Sequence, residues 1–229
     1  MNLIKKSDKV LVIAAHPDDE LLGCGGTVAL YRKKGIPVTS VIVCEGVSLR
    51  YGNEDIDMNF CTEAAAKELG VTDLRFLNFP DQKLDLYNLV DIIQPLEEII
   101  KSVKPTIIYC QYGGDINLDH EMLFKATLVA VRPIEKYIKS IFTFDTASST
   151  EWAYPRTFIP DTWIDITSTL DVKLKAMACY KTEVREYPHP RSLEALQNRA
   201  YAWGNQVCLP AAEVFMTVRN VLRNEDVPL

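Results

Sequence analysis

The sequence predicts an α/β fold: a Rossmann-like, mostly parallel sheet with helices on both faces, in a single domain over residues 1–229. Three observations predict it. Short apolar runs alternate with longer segments of helical periodicity through the first half of the chain. The first run, residues 10–15 (VLVIAA), has no polar interruption, as a strand buried on both faces requires. No linker rich in Gly, Ser or Pro, no repeat and no low-complexity stretch divides the chain.

In order, residues 10–15 form the first strand, and Pro17 ends its ladder. A turn containing Gly23, Gly25 and Gly26 leads into a helix over 21–34, closed by Gly35 and Pro37. Residues 38–44 (VTSVIVC) form the second strand, and 56–69 a helix closed by Gly70. Residues 74–79 form the third strand, stopped by Pro80. A helix follows over 88–103, in which Pro95 either introduces a kink or marks the true first turn. Residues 106–110 (TIIYC) form the fourth strand and 119–131 the next helix. Consecutive βα units of this kind imply right-handed crossovers. The second half is less regular. It predicts a strand over 140–147, a polar and aromatic segment over 148–161 and a short strand over 163–166. Helices follow over 169–180 and 192–203, and 214–221 reads as strand or helix.

In a doubly wound sheet of order 3-2-1-4, strands 1 and 4 adjoin at the switch point, and ligands bind outside their carboxyl ends. His16-Pro17-Asp18-Asp19-Glu20 follows strand 1, and Asp115, Asn117, Asp119 and His120 follow strand 4. Topology therefore brings the two clusters into one crevice. Burying an imidazole with several carboxyls is costly unless their charge is compensated, and a divalent metal compensates it; the set suits zinc. Helix capping by acids accounts for one carboxyl but not for three beside a histidine. The chain has three histidines, and two of them lie in these clusters. The sequence Gly-Cys-Gly-Gly lacks the spacing of a dinucleotide loop and reads instead as a close helix–sheet approach.

A formal charge of -6 argues against nucleic-acid and anionic-membrane partners. No apolar run reaches the roughly 18 residues of a membrane span. The six apolar residues that follow Lys9 are too few for a signal sequence. Six cysteines without C-x-x-C spacing suit reduced thiols in the cytoplasm. These readings leave a homo-oligomer open.

The block His16 to Glu20 with Gly23-Cys24-Gly25-Gly26-Thr27 resembles the signature of the PIG-L/LmbE-like metal-dependent N-deacetylases. The likeness continues through Asn78-Phe79-Pro80-Asp81, Asp115 to His120 and Ser148 to Trp152, then Pro188 to Ser192 and Ala212 to Phe215. It implies removal of an acetyl group from an N-acetylated amino sugar or its conjugate, a small-molecule substrate. It further implies Zn2+ held by His16, Asp19 and His120, with Fe2+ fitting the same ligands, and Asp18 as general base. Glu20 and Asp119 would support the ligands from behind. Arg50, Asn117 and Arg191 would contact substrate; Asn117 stands where many relatives carry a histidine, so it donates a hydrogen bond but no titratable proton. Gln111 stands at another position often taken by histidine. His189, held between Pro188 and Pro190, is then expected to protonate the leaving amine or stabilise the oxyanion. Trp152 and Tyr154 stack on a sugar or simply pack, and Asp81 bonds a sugar hydroxyl or its own loop. Two other readings stay open: a metallohydrolase of another N-acyl amide, and a metal-binding relative without turnover.

Overall fold

The computed structural model describes residues 5–47, 58–155 and 157–224. Among these, seven strands form one sheet: β1 (Val10–Ala14), β2 (Val38–Cys44), β3 (Asp73–Phe79), β4 (Ile107–Gln111), β5 (Ser140–Phe144), β6 (Thr162–Asp165) and β7 (Ala212–Asn220). Their order is β3-β2-β1-β4-β5-β7-β6. The first five in that order run parallel, and β7 pairs antiparallel with both β5 and β6. The helices are α1 (Asp19–Lys33), α2 (Met58–Leu69), α3 (Leu89–Val103), α4 (Leu118–Ala130), α5 (Leu170–Met177) and α6 (Leu193–Asn205).

The buried central strand splits its side chains between two cores, as a period of two dictates. Val10 and Val12 pack with Leu21, Val28, Leu69, Met177 and Leu196 from α1, α2, α5 and α6. Leu11 and Ile13 pack with Ile92, Leu96, Ile100 and Leu123 from α3 and α4 on the other face.

Two elements differ from the sequence reading, and a third resolves an open one. The glycine turn expected before the first helix lies inside α1, which starts at Asp19 and breaks locally at Cys24 (φ −143°, ψ 20°). A Cβ on Gly23 would overlap the Phe144 ring, and one on Gly26 would meet Ile166 Cδ1 at 2.9 Å. Those glycines let the kinked helix lie against the sheet, its neighbours and the β6–α5 connection. Pro95 lies within α3 rather than in its first turn. Its cost, about 3 kcal/mol, is outweighed by burying Ile92, Leu96, Ile99, Ile100 and Val103, each worth roughly 1.5–3 kcal/mol. The ambiguous last element is the strand β7.

Past its break, α1 presents fresh N–H groups, and a carboxylate meets them. Glu213 accepts from Gly26 N at 2.8 Å and Thr27 N at 2.7 Å. Lys173 Nζ donates to Glu213 Oε1 at 2.7 Å and to Leu22 O at 2.9 Å. Both side chains are buried. This ion pair ties β7 and α5 to the helix whose first turn enters the crevice.

Candidate active site

β1 and β4 are hydrogen-bonded neighbours, so the segments leaving their carboxyl ends meet. His16 lies just past β1, Asp19 opens α1, and His120 sits in the first turn of α4, which Asn117 caps by accepting from Asp119 N at 2.9 Å. His16 Nδ1 is 3.2 Å from Asp19 Oδ2 and 3.3 Å from His120 Nε2; His120 Nε2 is 3.2 Å from Asp19 Oδ2. A tetrahedral ion with bonds of about 2.0–2.1 Å to N and O has edges of about 3.3 Å, so this triangle fits one face of such a site. All three residues are buried, and their ligand atoms lie within 4.8 Å of one another.

Each imidazole is backed by a carboxylate on its far nitrogen. His16 Nε2 donates to Asp119 Oδ2 at 2.9 Å, and Asp119 also accepts from Leu84 N at 2.9 Å. His120 Nδ1 faces Asp115 Oδ1 at 3.2 Å. Asp115 accepts in turn from Ser149 Oγ, from Thr150 Oγ1 at 2.5 Å and from Asn117 N at 2.9 Å. Such backing fixes the tautomer and leaves the opposite nitrogens facing the shared space. Burial opposes charge on His16, but the bonds from Asp119 and Asp19 reverse this and lift it to about 10. Burial likewise opposes charge on His120, and Asp19 and Asp115 raise it to about 9. Burial alone would raise Asp19, yet His120 and then His16 hold it well below the usual range. The cage thus favours positive charge, which a divalent ion supplies when it displaces the imidazole protons.

Asp18 occupies a left-handed backbone conformation (φ 98°) that costs an Asp of order 1–3 kcal/mol. Burial, then the Asp19 charge, pushes its carboxyl well above the usual range, and Arg191 pulls it back. Arg191 Nη1 approaches Asp18 Oδ2 at 3.4 Å and bonds the buried Glu183. Glu20 accepts from Asp18 N at 3.1 Å and from Tyr180 Oη at 2.7 Å, and burial lifts its carboxyl to about 7. Asp18 is therefore gripped at its backbone by Glu20 and at its side chain by Arg191.

The remaining expected residues separate. Asn117 and Arg191 line a pocket of about 100 Å³ with Asp18, Ser148 and the three clustered donors. Since Asn117 Oδ1 caps α4, its Nδ2 is the group left for a ligand. His189 accepts at Nδ1 from Arg191 N at 3.1 Å and meets Trp152 edge-on at 6.4 Å between ring centroids. Burial, then Arg191 and Arg185, lowers its pKa. Asp81 reaches no sugar position: it is fully buried, with Oδ1 3.4 Å from His16 Nε2. Gln111 is buried and donates to Thr146 Oγ1 at 3.4 Å. Trp152 is about half exposed and Tyr154 almost wholly so. A second cavity of about 330 Å³ is lined by Tyr154, Phe158, Trp203, Glu151 and Arg199. Arg50 lies outside the described residues. Sequence reasoning did not single out the support from Ser149, Thr150, Tyr180 and Glu183; the Ser148 to Trp152 block was the one available signal.

The sequence profile described as PIG-L, GlcNAc-PI de-N-acetylase, matches residues 11–131, a span holding both strand ends and every clustered donor. The chain belongs to the PIG-L family. Its curated relatives are named deacetylases. An uncharacterised deacetylase of Escherichia coli strain K12, YaiS, is 33% identical over 183 residues, covering 77% of this chain and 92% of that protein. A probable N-acetyl-alpha-D-glucosaminyl L-malate deacetylase 2 of Bacillus subtilis strain 168 is 31% identical over 188 residues, covering 77% and 83%. In fold, the chain resembles the N,N'-diacetylchitobiose deacetylase of Pyrococcus horikoshii, with a TM-score of 0.74, 20% identity and coverage of 96% and 86%.

Proposed function

We propose that this PIG-L member is a metal-dependent hydrolase that removes the acetyl group from an N-acetylated amino sugar joined to a small polar partner. The observation that carries the reading is the convergence of His16 Nδ1, Asp19 Oδ2 and His120 Nε2 beneath an open pocket. These three residues would hold Zn2+, with Fe2+ compatible with the same donors. When bound, the metal supplies Lewis acidity and a water acidic enough to ionise near pH 7.

The chain's own residues do the rest. Asp18, beside the ligands and facing the pocket, takes the proton from the attacking water and returns it to the leaving nitrogen. Arg191 orients Asp18, and Glu20 holds the strained backbone that aims it. Asp119 and Asp115 fix the two imidazoles. Asn117 Nδ2 donates to a substrate oxygen at the pocket wall. With Nδ1 accepting from Arg191 N, neutral His189 carries its proton on Nε2, which suits oxyanion stabilisation better than delivery of a proton. The small polar pocket fits an acetamido group, and the larger aromatic-lined cavity nearby offers surface for the remainder of a conjugate. The likeness to the probable N-acetyl-alpha-D-glucosaminyl L-malate deacetylase 2 of Bacillus subtilis supports that substrate class.

The test is acetate release from a panel of N-acetylglucosaminyl conjugates by zinc-loaded protein. Equal yields of acetate and free amine are expected, abolished by a chelator. Cleavage of simple N-acyl amino acids with no N-acetyl sugar turned over would shift the reading to another amidohydrolase.

A further inference from the structure

A second set of donors converges on the far side of the His16 ring. His16 Nε2 lies 2.9 Å from Asp119 Oδ2 and 3.4 Å from Asp81 Oδ1. Cys44 Sγ lies 3.6 Å from Asp119 Oδ2. The ligand atoms of His16, Cys44 and Asp119 all fall within 4.8 Å of one another, and all three residues are buried. Separate elements supply them: His16 follows β1, Cys44 ends β2 and Asp119 opens α4. Four-coordinate zinc, with bonds of about 2.0–2.2 Å to N and O and about 2.3 Å to S, has edges of roughly 3.3 Å for N···O and 3.6 Å for S···O. The spacings of Asp119 Oδ2 to His16 Nε2 and to Cys44 Sγ match these edges to within a few tenths of an ångström. The other buried thiols differ: Cys24 donates to Glu20 O and Cys110 to Phe142 O, both main-chain carbonyls.

We propose that His16 Nε2, Cys44 Sγ and Asp119 Oδ2 form a second divalent-metal site that takes thiophilic ions such as Zn2+ or Cd2+ and inhibits the enzyme when filled. The inhibition rests on the function proposed above; the site does not. As the ion binds, the Cys44 Sγ and His16 Nε2 protons leave to solvent, and the Asp119 oxygen turns from the imidazole to the ion. His16 then bridges two ions through its two ring nitrogens. Losing a carboxylate from behind a metal-bound histidine lowers activity by about 10–100-fold, which sets the expected inhibition. Mg2+, which has little affinity for thiolate, does not inhibit in this way.

The test titrates the metal-free protein with Co2+, following bound metal per chain and the thiolate-to-cobalt charge-transfer absorption. Wild type is expected to bind two ions, with the band growing at the second equivalent. Cys44→Ser should bind one ion and show no band, and Cys44→Ala replaces it if the serine variant loses its native circular dichroism. His120→Ala should lose the first ion and keep the band. In parallel, wild-type activity should rise to one equivalent of Zn2+ and then fall about tenfold or more, whereas Cys44→Ser should rise and hold. A wild type without the band, a band of equal size in Cys44→Ser, or equal zinc inhibition in both would overturn the proposal. Stoichiometry and absorption need no turnover, so an inactive chain still reports this site. A deacetylase that binds one ion keeps the proposed function and loses this one.

Discussion

The buried pair Lys173–Glu213 gives a prediction whose size and asymmetry both come from the structure. Glu213 has three donors: Lys173 Nζ and the N–H groups of Gly26 and Thr27 at the restarted helix end. Lys173 has Glu213 and one carbonyl, Leu22 O. Glu213→Ala leaves a nearly fully buried ammonium with one partner and orphans two backbone donors. Breaking such a pair costs about 3–5 kcal/mol, a fifth or more of the roughly 5–15 kcal/mol that holds a domain together. Lys173→Met should cost less, about 2 kcal/mol, because the carboxylate keeps two N–H bonds and the positive end of a helix. Glu213→Gln combined with Lys173→Met should cost less than Glu213→Ala alone, since no unpaired charge stays buried. Urea unfolding followed by circular dichroism measures all three. A cost for Glu213→Ala below about 1 kcal/mol, or a larger cost for Lys173→Met, would refute the reasoning.

Three further outcomes concern the site. Asp18→Asn should keep the metal and lower kcat by roughly 10²–10⁴, and Asp18→Gly should be as inactive yet more stable, since glycine removes the strain at φ 98°; metal content, kinetics and Tm read both. Asp115→Asn should weaken metal binding by about 10–100-fold, with smaller losses in Ser149→Ala and Thr150→Ala, measured by competition with a chelator. His189→Ala should keep the metal and lower kcat more than it raises KM; unchanged kinetics would reduce His189 to the contact it makes with Arg191.

The sequence made the centre of the fold legible because its signals are local. Uninterrupted apolar runs, Pro17 and Pro80 as stops, and Gly35 and Gly70 as helix ends set β1 to β4 in order, and topology then joined His16 to His120. The elements that went differently are those where tertiary packing overrides a local rule. Pro95 stays inside α3 because five apolar neighbours are buried with it, and the glycines of α1 are spacers against Phe144 and Ile166 rather than a turn. Asp81 is drawn inward beneath His16 instead of facing substrate. The supports were the least legible part. Glu213 meets Gly26 across 187 positions, Tyr180 meets Glu20 across 160, and Arg191 meets Asp18 across 173, distances at which no periodicity carries information. Arg199, which bonds Asp145 and reaches Glu151 at 3.5 Å, belongs with them.

The central claim is that two imidazoles and a carboxylate from adjoining strand ends form one hydrolytic metal centre. Its most direct test restores metal-free protein with one equivalent of zinc and measures acetate released from an N-acetylglucosaminyl conjugate, in wild type and in His120→Ala. Wild type should regain full activity at that equivalent, and His120→Ala, with native circular dichroism, should regain none. Equal acetate release by the two proteins, or release by wild type that persists in excess chelator, would contradict the account.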